Sequence, residues 1–409
     1  MAKLQIEKGQ YIQALKLLKD LDTSTLEDLE LMALAECRLH NFQAAYGYYL
    51  LANNTKKARN MRELVAISEL EQLHKDRIKK CRILRVKGRR GVFATDNIKM
   101  GEEIFKISLD KCVKGSLKEL AEHLNKDTVY KRSLPKQEFP VQWSDSLRDQ
   151  INVSPLRIAL EHKIKIYEEE KIDFNHRSLV GSRNFANGKE TYLIPFADML
   201  NHSKDANIDW KFTDTEFIMS ATENILEHEE LFDSYGPKSN YETFLHYGFV
   251  EPNRELNVVR VIAKLPAKVF QTRIDPRFFQ QDFEFELLGQ YKEGTVEIFS
   301  FLRYIRSNEK KCPETIKNYL KKPVSRENEL WCCKMLFNIL QKDVKRRVDA
   351  SAFGVTEPLA ISLLQTEMDV LVYWGETLME AIQILEKNDK KLAKKSKRDY
   401  IVRVIKKLL

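Results

Sequence analysis

The chain has no long apolar run, and this limits the classes of protein it can belong to. Its longest apolar stretches, such as residues 193–197, fall far below the roughly 18 residues that a membrane-spanning helix needs. Residues 1–8 lack the uninterrupted apolar stretch that is typical of a secretory signal. We therefore expect no membrane span and a cytoplasmic or nuclear location. A secreted bacterial effector is an alternative for which the sequence offers no sign.

The chain also lacks cysteine pairs at the spacing of a metal site. No cysteine stands two to four residues from another, and that gap is typical of structural zinc sites. We therefore expect no bound metal and reduced thiols packed in the core, as is usual inside cells. The six cysteines are Cys37, Cys81, Cys112, Cys312, Cys332 and Cys333.

An excess of one charge is missing from most of the chain. The net charge is +8, and residues 387–409 carry all of it, with ten basic residues against Asp389 and Asp399. Apolar residues recur at helical spacing within this tail, so we expect a basic amphipathic helix. Its lysines form either the solvated face of a final helix or a docking site for an acidic partner. Because the remaining chain is electrically neutral, we do not expect nucleic acid as a partner.

The beginning of the chain contains an internal repeat. Residues 9–15 (Gly-Gln-Tyr-Ile-Gln-Ala-Leu) return as residues 40–46 (His-Asn-Phe-Gln-Ala-Ala-Tyr), which aligns Ala14 with Ala45. Small residues beside aromatic ones let paired helices approach closely, and the pattern is similar to that of tetratricopeptide arrays. We therefore expect a tetratricopeptide-like helical module at this end of the chain.

The length of 409 residues predicts two or three domains, because one hydrophobic core stops growing at roughly 250 to 300 residues. We place the helical module at residues 1–78, where Ser24 and Glu27 have the spacing of a helix-capping box. A β-rich domain is expected over residues 79–262. Helices dominate again in the predicted third domain, residues 263–409.

Short β-favouring runs and a helical insert make up the middle domain. Glycines separate residues 81–87, 91–95 and 103–108, and these runs predict a small β-meander. Helical spacing then predicts an insert over about residues 113–180. Strands are predicted again at residues 192–197, 208–212, 217–220 and 231–234.

Two short segments are the most informative about function. Residues 194–202 (Ile-Pro-Phe-Ala-Asp-Met-Leu-Asn-His) predict an apolar strand that ends on an amide and an imidazole, and residues 234–237 read Ser-Tyr-Gly-Pro. Together with the order of the elements, they resemble the SET-domain protein methyltransferases. The first segment is most similar to the branch of the plant Rubisco large-subunit lysine methyltransferase. The resemblance implies an α+β fold, in which a β-rich SET core is split by a helical insert and followed by a helical domain that helps to hold a protein substrate.

The resemblance also implies S-adenosylmethionine as the cofactor. Glycine at position 91 suits the segment whose backbone lies against that cofactor, because a side chain would keep the main chain away. The family's Gly-x-Gly is altered here to Gly88-Arg-Arg-Gly91. An arginine at position 183 matches one that relatives hold near the cofactor's carboxylate. The cofactor residues that the resemblance implies are Arg90, Gly91, Val92, Arg183, Asn201 and His202.

Catalysis is assigned through the same resemblance. Tyr235 matches the family's catalytic tyrosine, and Phe185, Tyr247 and Phe249 are the expected walls of a lysine channel. Phe185 and Ala197 follow the pattern of lysine-modifying members, whereas a histidine-modifying relative differs at both positions. We expect lysine in a non-histone protein as the substrate. The alternatives are a histidine methyltransferase and an inactive SET-like scaffold that binds a partner through its helical domains.

Overall fold

The molecule consists of two compact units, each built from separate stretches of the chain. One unit comprises Met1–Gln137 and Glu170–Gly236, and the other comprises Glu138–Glu169 and Pro237–Leu409. These units divide the predicted insert and group residues 237–262 with the C-terminal helices, while the predicted division into three domains stays a prediction. The computed structural model describes residues 2–19, 25–39, 41–86, 89–251, 255–263, 283–289, 296–306, 322–351 and 354–409.

The described residues form sixteen α-helices and twelve β-strands. The helices are α1 (Ala2–Glu7), α2 (Tyr11–Lys19), α3 (Leu26–Arg38), α4 (Phe42–Leu51), α5 (Thr55–Leu73), α6 (Leu117–His123), α7 (Val129–Ser133), α8 (Asp145–Arg148), α9 (Leu156–Glu170), α10 (Phe174–Arg183), α11 (Asn240–Glu242), α12 (Val296–Arg306), α13 (Arg326–Ser351), α14 (Pro358–Lys387), α15 (Lys390–Lys395) and α16 (Asp399–Arg403). The strands are β1 (Cys81–Val86), β2 (Arg89–Ala94), β3 (Glu103–Ser108), β4 (Val113–Lys114), β5 (Asn184–Ala186), β6 (Thr191–Leu193), β7 (Asn201–His202), β8 (Ile208–Phe212), β9 (Glu216–Ala221), β10 (Glu230–Asp233), β11 (Val258–Ala263) and β12 (Phe283–Leu288).

The first five helices pack against one another in chain order. At the start of α3, Thr25 Oγ1 accepts a hydrogen bond from the Asp28 backbone N–H, and the Asp28 carboxylate accepts one from the Thr25 N–H. This capping box lies one residue beyond the predicted pair, of which Ser24 lies outside the described residues. The two alanines that the repeat aligns are both fully buried (0% exposed), as close helix packing requires. The likeness to a tetratricopeptide module stays a prediction.

The strands of the first unit form three sheets that bring distant segments together. The largest has the order β1–β2–β10–β7, and the others are β3–β9–β8 and β4–β6–β5. The predicted meander is wrong, because β3 leaves its neighbours and pairs with β9. The connection from β2 to β3 runs over eight residues, 95–102, which is longer than the two to five residues that join hairpin strands.

A sharp turn replaces the end of one predicted strand. The strand predicted over residues 192–197 ends at Leu193, and Phe196 has a left-handed backbone conformation with φ of 77°. A short 3₁₀ turn, Ala197–Met199, follows directly and leads into β7. The prediction failed here because Pro195 has no N–H to donate to a ladder and the next residue reverses the chain. This turn determines where the Asn-His pair emerges.

The second unit has its own core of helices packed around the β11–β12 pair. Trp374 of α14 is fully buried, and Phe299 of α12 stacks on Tyr400 of α16 with ring centroids 4.5 Å apart. The basic tail is not one amphipathic helix as predicted, since α15, α16 and a 3₁₀ turn at Ile405–Lys407 divide it. Its apolar residues Ile401 and Ile405 are fully buried in that core, so the tail is anchored to the second unit.

Candidate active site

Three strands of the largest sheet bring most of the predicted site residues together. β7 pairs in parallel with β10, so that Asn201 lies opposite Phe232 and His202 opposite Asp233. β10 also pairs with β2 in antiparallel fashion, with Leu231 opposite Val92. The segments around positions 91, 201 and 235 therefore meet at one sheet, although more than a hundred residues separate the first from the others.

The side chain of Asn201 is held by two acceptors. Its Nδ2 donates to the backbone oxygen of Arg90 at 2.6 Å and to Glu230 Oε1 at 2.7 Å. Both amide hydrogens are thus used, and within the described residues no donor reaches the amide oxygen. Asn201 therefore presents an acceptor to any ligand at this position.

Side-chain atoms fill the space beside Gly91. A Cβ placed on Gly91 would lie 2.2 Å from Glu230 Oε1 and 3.0 Å from Asn201 Nδ2. An alanine there would displace the carboxylate that orients the amide. The other glycine of the altered segment, Gly88, lies outside the described residues.

His202 and Tyr235 form a stacked pair. Their ring centroids are 5.0 Å apart with an interplanar angle of 22°, and the Tyr235 backbone N–H donates to His202 Nδ1 at 3.1 Å. The Tyr235 hydroxyl donates to the backbone oxygen of Leu200 at 2.8 Å, which fixes the phenol ring at the start of β7. The predicted catalytic hydroxyl is therefore ordered next to the Asn-His pair.

A buried ion pair lies where α10 ends. Arg183 Nη1 donates to the backbone oxygen of Asp198 at 2.5 Å and lies 3.4 Å from Asp198 Oδ2, which also accepts from the Tyr130 hydroxyl at 2.9 Å. Burial raises the pKa of Asp198, and the Arg183 guanidinium opposes that rise. Arg183 Nε and Asp198 Oδ1 are both buried without a hydrogen-bond partner. One donor and one acceptor of this ion pair thus have no hydrogen-bond partner.

Arg90 adds a second guanidinium to this region. Its Nη1 donates to the backbone oxygen of Ser133 at 2.6 Å and lies 3.4 Å from Glu63 Oε1. Burial, together with the nearby positive charge of Arg183, lowers the pKa of Arg90 to about 10. Two guanidinium groups thus lie in this region, beside the carboxylates of Glu63 and Asp198.

The predicted channel residues fall in both units. Phe185 of β5 is 7% exposed and packs edge-to-face against Trp210 and Phe217, with centroids 5.3 and 5.0 Å away. In the second unit, Tyr247 ends a π-helix (Thr243–Tyr247) and lies 6.1 Å from Phe249 between ring centroids. Their roles as channel walls stay predictions.

Sequence reasoning missed two side chains that shape the site. Asp198 lies inside the quoted segment 194–202, and its only sequence signal was a carboxylate within an apolar stretch. Glu230 precedes Leu231 in β10 and offered no signal, because its partners are far away in the chain. They are side-chain partners of two predicted cofactor residues, Arg183 and Asn201.

Comparison with known proteins agrees with this geometry. Residues 89–236 match the family model of the SET domain, so this part of the chain is a SET domain. The sequence-based recognition of a SET-domain protein related to lysine methyltransferases is confirmed by relatives that carry this function in their names. The SET fold accounts for the α+β class and for the meeting of β2, β7 and β10.

Particular relatives make the likeness more specific. The chain is 34% identical to the protein-lysine N-methyltransferase EFM1 of Saccharomyces cerevisiae over 83 residues, which are 20% of this chain and 14% of that protein. A crystal structure of the SET domain of LSMT bound to methyllysine and AdoHcy superposes with a TM-score of 0.58 at 16% identity, covering 82% of this chain and 98% of that one. Rubisco LSMT bound to AdoMet gives a TM-score of 0.54 at 17% identity, with coverages of 79% and 93%.

The described residues also bear on metal binding and on membrane spans. They contain no cluster of three or more histidine, cysteine, aspartate or glutamate side chains placed to hold a metal ion. Among the same residues, no helix combines the length and apolar character needed to cross a membrane. Five cysteines lie in the described ranges and all are free thiols.

Proposed function

We propose that this protein is an S-adenosylmethionine-dependent methyltransferase that modifies the side-chain amine of lysine in a non-histone protein. The observation that carries the proposal is the meeting of β2, β7 and β10, which places Gly91, Asn201, His202 and Tyr235 at one site. The SET-domain match and the names of the relatives support the same reaction.

The chain's own polar atoms fit the cofactor. Arg183 Nε is a buried donor without a partner, and Asp198 Oδ1 is a buried acceptor without one. A carboxylate and an ammonium on one ligand would satisfy both, which is the pattern of an amino-acid end. The amide oxygen of Asn201 offers a further acceptor. S-adenosylmethionine, when bound, supplies an electrophilic methyl group on a positively charged sulfur.

The chemical demand on the protein is to receive an uncharged lysine. At pH 7 roughly one lysine in 2,500 is neutral, which corresponds to a penalty of about 4.6 kcal/mol. An apolar channel lowers that penalty because burial disfavours the ammonium. We assign one wall of that channel to Phe185, and we assign to the Tyr235 hydroxyl the orientation of the amine. Alignment and exclusion of water then supply most of the acceleration.

Lysine is preferred to histidine because of the space at two positions. Phe185 is packed among aromatic rings, and Ala197, the first residue of the 3₁₀ turn that leads into β7, is 1% exposed. Neither side chain offers an imidazole a polar partner.

Free cysteine thiols suit the reducing interior of a cell, and we assign the protein to the cytoplasm or nucleus on that basis.

Calorimetry with S-adenosylmethionine and a methyl-transfer assay test the proposal together. Removing one hydroxyl in Tyr235→Phe should lower transfer by about a hundredfold and leave the cofactor Kd within about threefold. Tyr192→Phe removes the hydroxyl of a buried tyrosine elsewhere in the same domain, and it should change neither the rate of methyl transfer nor the cofactor Kd. No cofactor binding at tens of micromolar would reject the enzyme and favour an inactive scaffold. An equal loss of binding and transfer in Tyr235→Phe would remove its catalytic role.

A further inference from the structure

A second concave site lies in the first unit. It is a groove of about 720 Å³ between the N-terminal helices α4 and α5, the segment from α7 to Lys136, and α10. Its volume falls within the range typical of ligand sites. None of the residues assigned to the cofactor or to the lysine channel lines it, although Glu63 on its wall lies 3.4 Å from Arg90. The groove is therefore a separate candidate site.

Three cations on the groove wall have no carboxylate partner in the described part of the chain. They are Arg62 of α5, Lys131 of α7 and Lys136, and each comes from a different position around the rim. Arg62 and Lys136 are exposed and Lys131 is half-buried. Unpaired positive charge at a concave surface attracts negative groups, because the low-dielectric walls focus the field.

Arginines pair with the carboxylates of the same wall. Glu63 lies 3.0 Å from Arg85 and 3.4 Å from Arg90. Glu69 and Asp127 share one guanidinium, that of Arg132, at 3.2 and 3.3 Å, which leaves one negative charge of this group unbalanced. The three unpaired cations outnumber that one charge, so the groove keeps a positive excess.

Apolar surface lies between these charges. Tyr46, Val65, Leu134 and Leu179 line the groove from four different segments. The wall contributed by α5 runs from Arg62 to Glu69, which is about 10 Å at 1.5 Å per residue. An extended peptide advances about 3.3 Å per residue, so about three residues match this length.

We infer that the groove binds an acidic segment of a partner protein, one in which carboxylate side chains alternate with apolar ones. Carboxylates would pair with Arg62, Lys131 and Lys136, and apolar side chains would cover the surface between them. A nucleic acid fits less well, because a phosphate at every residue would also meet the rim carboxylates Glu69 and Asp127. A peptide can place its few charges to avoid them.

Fluorescence anisotropy with the full chain tests this inference without any cofactor. The probe is a fluorescein-labelled synthetic peptide in which pairs of glutamates alternate with leucines, and the same peptide with glutamine in place of glutamate is its neutral counterpart. Lys131→Glu combined with Lys136→Glu should weaken binding of the acidic probe by about tenfold or more, since attraction becomes repulsion. The glutamine peptide should bind at least about tenfold more weakly than the acidic one to the unaltered chain.

Two controls distinguish binding in the groove from a general effect of positive charge on the protein surface. Lys118→Glu with Lys189→Glu reverses two exposed lysines outside the groove and should leave the affinity within about twofold. Glutamine at Lys390, Lys391, Lys394 and Lys395 tests the basic tail, and it should also have little effect. Circular dichroism checks that each variant is folded.

The inference is overturned if the groove double variant binds the acidic probe as well as the unaltered chain does. It is equally overturned if only the tail variant loses binding. A single-stranded oligonucleotide that displaces the probe with higher affinity, and depends on Lys131 and Lys136, would assign the groove to nucleic acid instead.

Discussion

Buried arginine–carboxylate clusters occur in both units, and they differ in whether every polar atom has a partner. In the second unit, Arg303 and Glu329 form a two-pronged pair with bonds of 2.7 and 2.5 Å, and both side chains are 0% exposed. Glu329 also accepts from the Tyr400 hydroxyl. In the first unit, Arg183 and Asp198 leave one donor and one acceptor unsatisfied.

A second network in the C-terminal unit follows the saturated pattern. Arg347 pairs with Asp343 at 2.6 Å and with Glu367 at 2.5 Å, while Glu367 accepts from Tyr241 and Ser154. Desolvating a charge is costly unless its partners are complete. A complete cluster therefore fits a role in holding the unit together, whereas Arg183 Nε and Asp198 Oδ1 can each still take one more hydrogen-bond partner.

The largest expected effect comes from breaking the saturated pair. Glu329→Gln leaves the buried Arg303 without a counter-charge and should lower the free energy of unfolding by about 3 to 5 kcal/mol. Denaturant unfolding followed by tryptophan fluorescence measures this. The exposed pair of Lys334 and Glu386 is the control, because Glu386→Gln should cost less than about 1 kcal/mol. Equal effects of the two variants would contradict the structural role of the buried pair.

Matched arginine-to-lysine changes should separate the two clusters. Arg183→Lys keeps the charge and removes Nε, so cofactor affinity should fall by about tenfold to a hundredfold, with a change in unfolding free energy near 1 kcal/mol. Arg303→Lys should do the reverse, destabilising the fold without altering the cofactor Kd. Calorimetry and denaturation of both variants give the comparison. Normal cofactor binding by Arg183→Lys would show that the unpaired Nε does not contact the cofactor.

Asp233 shows what happens to a buried carboxylate that has no arginine. Burial raises its pKa from 3.8 to about 7, and the negative charge of Asp209 adds to the rise, while bonds to Ser234 and Trp210 oppose it. Since the folded state holds this proton more tightly, the group's contribution to stability is full below pH 3.8 and is lost as the pH rises to about 7.

Asp233→Asn removes the titrating carboxyl group, so stability should no longer depend on pH through this position, unlike at the carboxylates that are paired with arginine. At pH 8 the variant should be more stable than the unaltered protein by about 1 to 2 kcal/mol, within the ceiling of about 4 kcal/mol that the shift allows. At pH 4 the difference should be close to zero. Melting temperatures measured across this range test the sign, and a variant that is less stable at pH 8 contradicts it.

The smallest expected effect concerns the orientation of Asn201. Glu230→Gln replaces a charged acceptor with an amide, which can turn its own N–H groups toward Asn201. Cofactor affinity should fall about threefold, less than for Asn201→Ala, where the acceptor itself is lost. Glu227→Gln, at an exposed position nearby, is the control for calorimetry. A larger loss in Glu230→Gln than in Asn201→Ala would assign Glu230 a direct contact with the ligand.

Local patterns predicted much of the first unit. The strand predicted at residues 208–212 matches β8, and the run at 103–108 matches β3, because alternation and glycine boundaries are properties of neighbouring residues. The Asn-His pair was located by its surrounding segment. These features depend on chain positions within a few residues of one another.

Features that depend on residues far apart in the chain could not be predicted from the sequence. Tyr130 and Asp198 are 68 residues apart, and Glu230 lies 29 residues from Asn201, so no local pattern relates them. The pairing of β3 with β9 was missed for the same reason. The tail failed as one helix because its apolar residues follow the shape of the core, which only the packed second unit defines.

The central claim is that the site formed by β2, β7 and β10 transfers a methyl group to lysine. Its most direct test is mass spectrometry of a cell lysate incubated with the protein and isotope-labelled S-adenosylmethionine. We predict label on lysine side chains of non-histone proteins, and its loss with Tyr235→Phe. Label on histidine, or none in a sample whose protein binds the cofactor, would contradict the account.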